Sequence, residues 1–137
     1  MPADFLNAHL RHFEDSEILY SYDRWANADH LYGMSAECGL KKLMIAFGMN
    51  IGNNGSPSTR SDKVHVNQIV TRYESYRSGH MSGQLYPINF PTAFDDWRAE
   101  QRYDNESTYS QLNIDNHRLA ADDVNALIKK AQLDGLI

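Results

Sequence analysis

The chain has 137 residues, 42% of them hydrophobic and 23% charged, with 13 Lys and Arg against 18 Asp and Glu for a net charge of −5. That length suits a single domain spanning 1–137, long enough to bury its own core without disulfide or metal. The composition excludes collagen-like, disordered and disulfide-scaffold classes, and the negative balance argues against a broad basic surface for nucleic acid.

A lone cysteine, Cys38, permits no intrachain disulfide and no cysteine-based zinc site. It fits a reducing cytoplasm, where we expect the protein to reside. No apolar stretch is long enough for a membrane span. The opening MPADFLNAHLRHFED mixes acids, bases and histidines, so no signal peptide and no membrane partner are expected.

In chain order, the spacing predicts four main helices and no strands. The first covers roughly 4–22, with Asp4 as its cap and Leu6, Leu10, Phe13, Glu17 and Tyr20 on one face. The second covers roughly 24–47. Asp23 stands where an N-cap belongs and Gly48 where a left-handed residue ends the helix. Trp25, Ala28, Tyr32, Ala36, Leu40, Leu43, Met44 and Phe47 form its apolar stripe, and Gly33 and Gly39 imply close packing.

Residues 48–62 read as a loop, and Asp62 as the cap of a third helix over roughly 63–77 that buries Val66, Ile69, Val70, Tyr73 and Tyr76. Residues 78–105 carry Gly and Pro and no long period, with a short helix around roughly 92–100. Irregular stretches of this length are often functional. The last helix covers roughly 107–133, with Leu112, Leu119, Ala120, Val124, Leu127, Ile128 and Ala131 inward and Gly135 as its stop. The expected fold is an all-α bundle of four main helices.

Residues 24–48 carry an alanine-rich helix with Ala36, Glu37, Leu40 and Lys41 as an A-E-x-x-L-K core. FEDSEILYSYDRW precedes it, and KVHVNQIVTRY, with His65, follows. In this order the segments, mainly residues 10–76, resemble domains of the HEPN superfamily. The resemblance implies a helical bundle, pairing as a homodimer, and either a metal-independent RNase of defence or toxin–antitoxin systems or a catalytically silent module that binds a protein partner. Active members carry an R-x(4–6)-H motif. Here Arg24 to His30 and Arg60 to His65 have that spacing, whereas Arg102 is followed by Ser107, Thr108 and Tyr109.

The richest candidate site is the segment Asp95 to Asp104. Trp97, Arg98, Arg102 and Tyr103 combine aromatic rings with guanidinium groups, which suits base stacking and phosphate contact. In an RNase, Arg102 would hold the phosphate, and Tyr103 or a histidine from elsewhere in the chain would take part in proton transfer. Arg24, His30 and Glu37 are candidate ligand-binding residues, Glu37 by orienting Arg24 or Arg102, though Glu37 also suits a simple helix pair with Lys41. The leading expectation is therefore a protein contacting RNA or a nucleotide, with no cofactor.

His9 and His12 share a helix face and suggest an alternative, a metal-dependent hydrolase, although two exposed polar residues are the simpler reading. His117 reads as a surface residue.

Overall fold

The computed structural model describes residues 1–137 and contains no β-sheet. Helices α1 (Phe5–Ser21), α2 (Trp25–Ala46), α3 (Val70–Ser78) and α4 (Gln111–Leu133) form a bundle, with short 3₁₀ turns between α2 and α4. One contiguous core of 22 buried residues joins α2, α3, α4 and the irregular segment before α4. No helix is long and apolar enough to cross a membrane.

Asp4 caps α1 as expected, its carboxylate accepting from Asn7 N at 3.0 Å. The inward face of α1 is more polar than its apolar spacing implies. His9 and Ser16 are fully buried, while Leu10 is 42% exposed. The chain then reverses, so that the start of α1 meets the end of α2: Phe5 lies beside Lys41, His9 beside Ser35, and Tyr20 against Trp25.

Asp23 makes that reversal in the left-handed conformation, with φ +59°. A short polar side chain tolerates this region better than most. Asp23 is thus a turn residue rather than the N-cap of α2. The cap is Arg24, which makes no side-chain capping bond.

The α2 stripe is buried as expected, with Ala28, Tyr32, Ala36, Leu43 and Met44 fully so. Gly48 follows the helix at φ +109° and ends it. Its two inner glycines mark close approaches. A Cβ on Gly39 would stand 2.6 Å from Val124 of α4, and one on Gly33 would stand 2.1 Å from Nε1 of Trp97.

Helix α3 begins at Val70, later than the spacing suggests. Asp62 does not cap it. Its carboxylate accepts from Arg72 Nε at 2.8 Å and from the Tyr76 hydroxyl at 2.6 Å, while Glu37 takes the Val66 N–H. These side-chain bonds hold residues 62–66 outside a helix. Val66, Ile69 and Tyr73 are buried all the same.

The short helix expected around 92–100 is displaced to a 3₁₀ turn at Ala99–Tyr103. Helix α4 begins at Gln111, where Ser110 N donates to Asn113 Oδ1 at 2.8 Å. Ala120, Val124, Leu127, Ile128 and Ala131 are buried as expected, and only the first half of the helix is rotated from the expected face. Leu112 and Leu119 are 87% and 54% exposed, and Ile114, His117 and Ala121 point inward with Val124 and Ile128. Gly135, at φ +74°, ends the helix as expected.

Gly33→Ala is predicted to displace the Trp97 indole and to cost about 1–3 kcal/mol by overpacking. Urea unfolding followed by Trp fluorescence checks this. An unchanged midpoint would mean that the ring does not depend on the missing Cβ.

Candidate functional site

The first turn of α2 forms one wall of a cleft of about 380 Å³. Arg24, Trp25 and Asn27 line that side, and Gln101, Arg102 and Asp104 line the other. The first backbone N–H groups of a helix have no internal partner and carry partial positive charge. No side chain caps them here.

Arg102 donates from Nη1 to Ala99 O at 3.0 Å, and its guanidinium lies 4.7 Å from the centre of the Tyr103 ring. None of the chain's ion pairs includes Arg24 or Arg102. The fold thus brings together two candidate arginines from distant parts of the sequence, and both are exposed. Tyr103, 76% exposed, stands beside Arg102 but does not line the cleft.

The remaining candidates lie elsewhere. Trp97 is fully buried, so it anchors the segment and presents no face to a ligand. Arg98 turns toward Asp104, 3.5 Å away, and lines a smaller recess beside Asp96 and His117. His30 stacks on Trp97 with ring centres 5.4 Å apart and does not line the cleft. Its Nδ1 is buried without a hydrogen-bond partner. Burial lowers its pKa, and the charge of Arg102 adds to that.

Glu37 orients neither arginine. It accepts from Lys41 Nζ at 3.0 Å, from His65 Nδ1 at 3.0 Å and from Val66 N at 3.1 Å, and is 5% exposed. The pair with Lys41 is present, but as part of a buried bridge to the segment before α3.

Behind the cleft lies a polar knot centred on Asp29, which is 1% exposed. Its Oδ1 accepts from His117 Nδ1 at 2.5 Å and its Oδ2 from Gln101 Nε2 at 2.6 Å. Its backbone carbonyl accepts from Trp97 Nε1 at 3.3 Å. The other ring nitrogen of His117 faces Asp96 Oδ1 at 2.7 Å, and Phe94 stacks on the imidazole. His117 is therefore a buried bridge between two carboxylates, not a surface residue.

Both Asp29 and His117 fall on the helical periods of their apolar neighbours. His117 stands three residues after Ile114 and four before Ala121. Taking Leu112 and Leu119 as inward rotates the helix and hides this.

His9 is also buried, not exposed. Its Nδ1 donates to Ser35 O at 2.8 Å, and its Nε2 is 3.1 Å from Asn125 Oδ1. Burial lowers its pKa, and both nitrogens are engaged within the core. No group of three or more His, Cys, Asp or Glu side chains is placed to hold a metal ion. Arg60 is exposed in its 3₁₀ turn, while His65 is bound to Glu37.

No protein-family model matches the chain, and neither a curated protein nor a solved structure is significantly similar to it. The functional reading therefore rests on the site.

Chemically, the cleft offers two guanidinium groups without ion-pair partners, set among the carboxylates of Asp23, Asp104 and Glu106. The knot offers rigidity, since both nitrogens of its imidazole are taken. Asp29→Ala is predicted to destabilise the fold by about 3–5 kcal/mol, because it strands the buried His117 and Gln101. Chemical denaturation measures this. A loss below about 1 kcal/mol would show that the knot carries no stability.

Proposed function

We propose that this chain contacts RNA or a nucleotide through one phosphate group, held in the cleft by Arg24, Arg102 and the uncapped first turn of α2. The observation that carries this reading is the meeting of two arginines without ion-pair partners at an uncapped helix start. Anions are stabilised there by the helix dipole and the free N–H groups. Guanidinium forks match phosphate geometry.

Asp23, Asp104 and Glu106 rim the same cleft. A run of phosphates would meet these carboxylates, whereas a single phosphate meets the arginines. The net charge of −5 points the same way, toward a local contact rather than a long electrostatic track. The exposed Tyr103 ring supplies a face on which a base can stack.

The resemblance of residues 10–76 to HEPN domains supports an RNA-related role and a HEPN-like bundle. If the protein cleaves RNA, Arg102 stabilises the phosphate and the exposed Tyr103 hydroxyl takes part in proton transfer. The second reading is a catalytically silent module for a protein partner. The exposed Leu112 and Leu119, two turns apart on α4, favour it and also supply a face for pairing with a second copy. A cytoplasmic location belongs to the same proposal, supported by a buried thiol that needs no oxidising compartment.

Arg102→Lys keeps the charge and removes the planar fork. It is predicted to weaken binding of a short ribo-oligonucleotide or nucleoside monophosphate by about 1–3 kcal/mol, with Tm unchanged. Fluorescence anisotropy and thermal melts check this pair. A fall in Tm with no change in binding would make Arg102 a structural residue and overturn the assignment. Light scattering at micromolar concentration is predicted to return twice the 15.7 kDa chain mass. A monomer would contradict the pairing.

A further inference from the structure

We propose that His117 is a proton-dependent positioning residue for the cleft: as an imidazolium it fastens the segment from Phe94 to Tyr103, and with it Arg102, onto α2 and α4, and its deprotonation loosens that segment. The proposal rests on the phosphate reading of the cleft and adds its regulation.

The geometry sets the proton count. An ionised carboxylate only accepts hydrogen bonds, and a neutral imidazole has a single N–H. His117 meets Asp29 Oδ1 at 2.5 Å through Nδ1 and Asp96 Oδ1 at 2.7 Å through Nε2. Both contacts are hydrogen bonds only when both nitrogens carry a proton. On deprotonation one carboxylate oxygen faces a lone pair.

The two carboxylates are not equivalent. The Asp29 side chain is 1% exposed and the Asp96 side chain 79% exposed. Asp96 can return to water and Asp29 cannot, so Asp96 is the contact that breaks. Asp96 stands next to Trp97, whose indole fills the space left by Gly33.

The link to the cleft runs through Gln101. Its Nε2 donates to Asp29 Oδ2 at 2.6 Å, its Oε1 accepts from Arg98 N at 3.0 Å, and the next residue is Arg102. Asp96 and Gln101 thus tie one segment at two points, and release of Asp96 leaves the Gln101–Asp29 bond as the remaining side-chain tie of the turn that carries Arg102 to the knot.

The charged and titratable groups around the imidazole are Asp29 from α2, Asp96 and Arg98 from the irregular segment, and Tyr109 from the approach to α4. Burial pulls the His117 pKa down, but the hydrogen bonds and charges of Asp29 and Asp96 together raise it above the ordinary 6.5. A folded-state pKa above the unfolded value means that the latch is fully formed below about pH 6.5 and is lost as pH rises through the folded value.

The test uses the full chain between pH 6.5 and 9, where a phosphomonoester is already mostly dianionic, its second pKa being about 6. Amide hydrogen exchange of residues 94–103, corrected for the intrinsic pH dependence of exchange, is followed beside calorimetric titration with adenosine monophosphate. Protection of the segment is expected to fall, and affinity to drop about tenfold, with one shared midpoint. Asp96→Asn removes the outer charge but keeps an acceptor, and should move that midpoint to lower pH.

Exchange and affinity that both ignore pH would overturn the proposal and leave the phosphate reading standing. Exchange that titrates while affinity stays constant would overturn the positioning role. Exchange that titrates with no nucleotide bound at any pH would overturn the phosphate reading and uphold the proton-dependent fastening.

Discussion

Asp29 sits inside the bundle with 1% of its surface exposed, and a carboxylate removed from water is costly unless every lone pair finds a donor. Its donors come from three places: the imidazole of α4, the Gln101 amide, and, at its backbone carbonyl, the Trp97 indole. The demand of one buried charge thus fixes how α4 and the irregular segment sit on α2. The cleft between Arg24 and Arg102 exists because that segment is fixed.

The same device recurs along the chain. Glu37, further along α2, holds the segment before α3 through His65 and Val66. Asp62, fully buried, ties its 3₁₀ turn to α3 through Arg72 and Tyr76. A large part of this protein lies outside long helices, where backbone ladders cannot hold it. Acids inside or at the edge of the core hold it instead, each satisfied by donors from another element. Such bonds specify one arrangement more strongly than apolar contact alone, because a shifted register leaves a buried charge unpaired.

Much of the helical frame was legible from spacing. Asp4, the α2 stripe, Gly39 and the stops at Gly48 and Gly135 each follow a local rule, and the structure obeys it. Most misplacements share one physical cause. Asp62, His9 and His117 are polar residues whose partners are remote in sequence, so local propensity assigns them to a cap or to the surface. The exposed Leu112 and Leu119 produced the complementary error by drawing the apolar face of α4 away from His117. At the site, Arg24 and Arg102 were legible as residue types suited to phosphate. That they share one cleft was not, because their meeting depends on the knot.

The central claim is that the buried knot positions the phosphate-facing arginine, with Gln101 as the link. A double-mutant cycle between Gln101→Leu and Arg102→Lys, read by calorimetric binding of a nucleoside monophosphate at pH 6.5, tests this most directly. Each change alone is predicted to weaken binding, and the double variant to bind no worse than the weaker single one, since a misplaced arginine has little left to lose. Losses that simply add would contradict the account, because the knot and the arginine would then act independently.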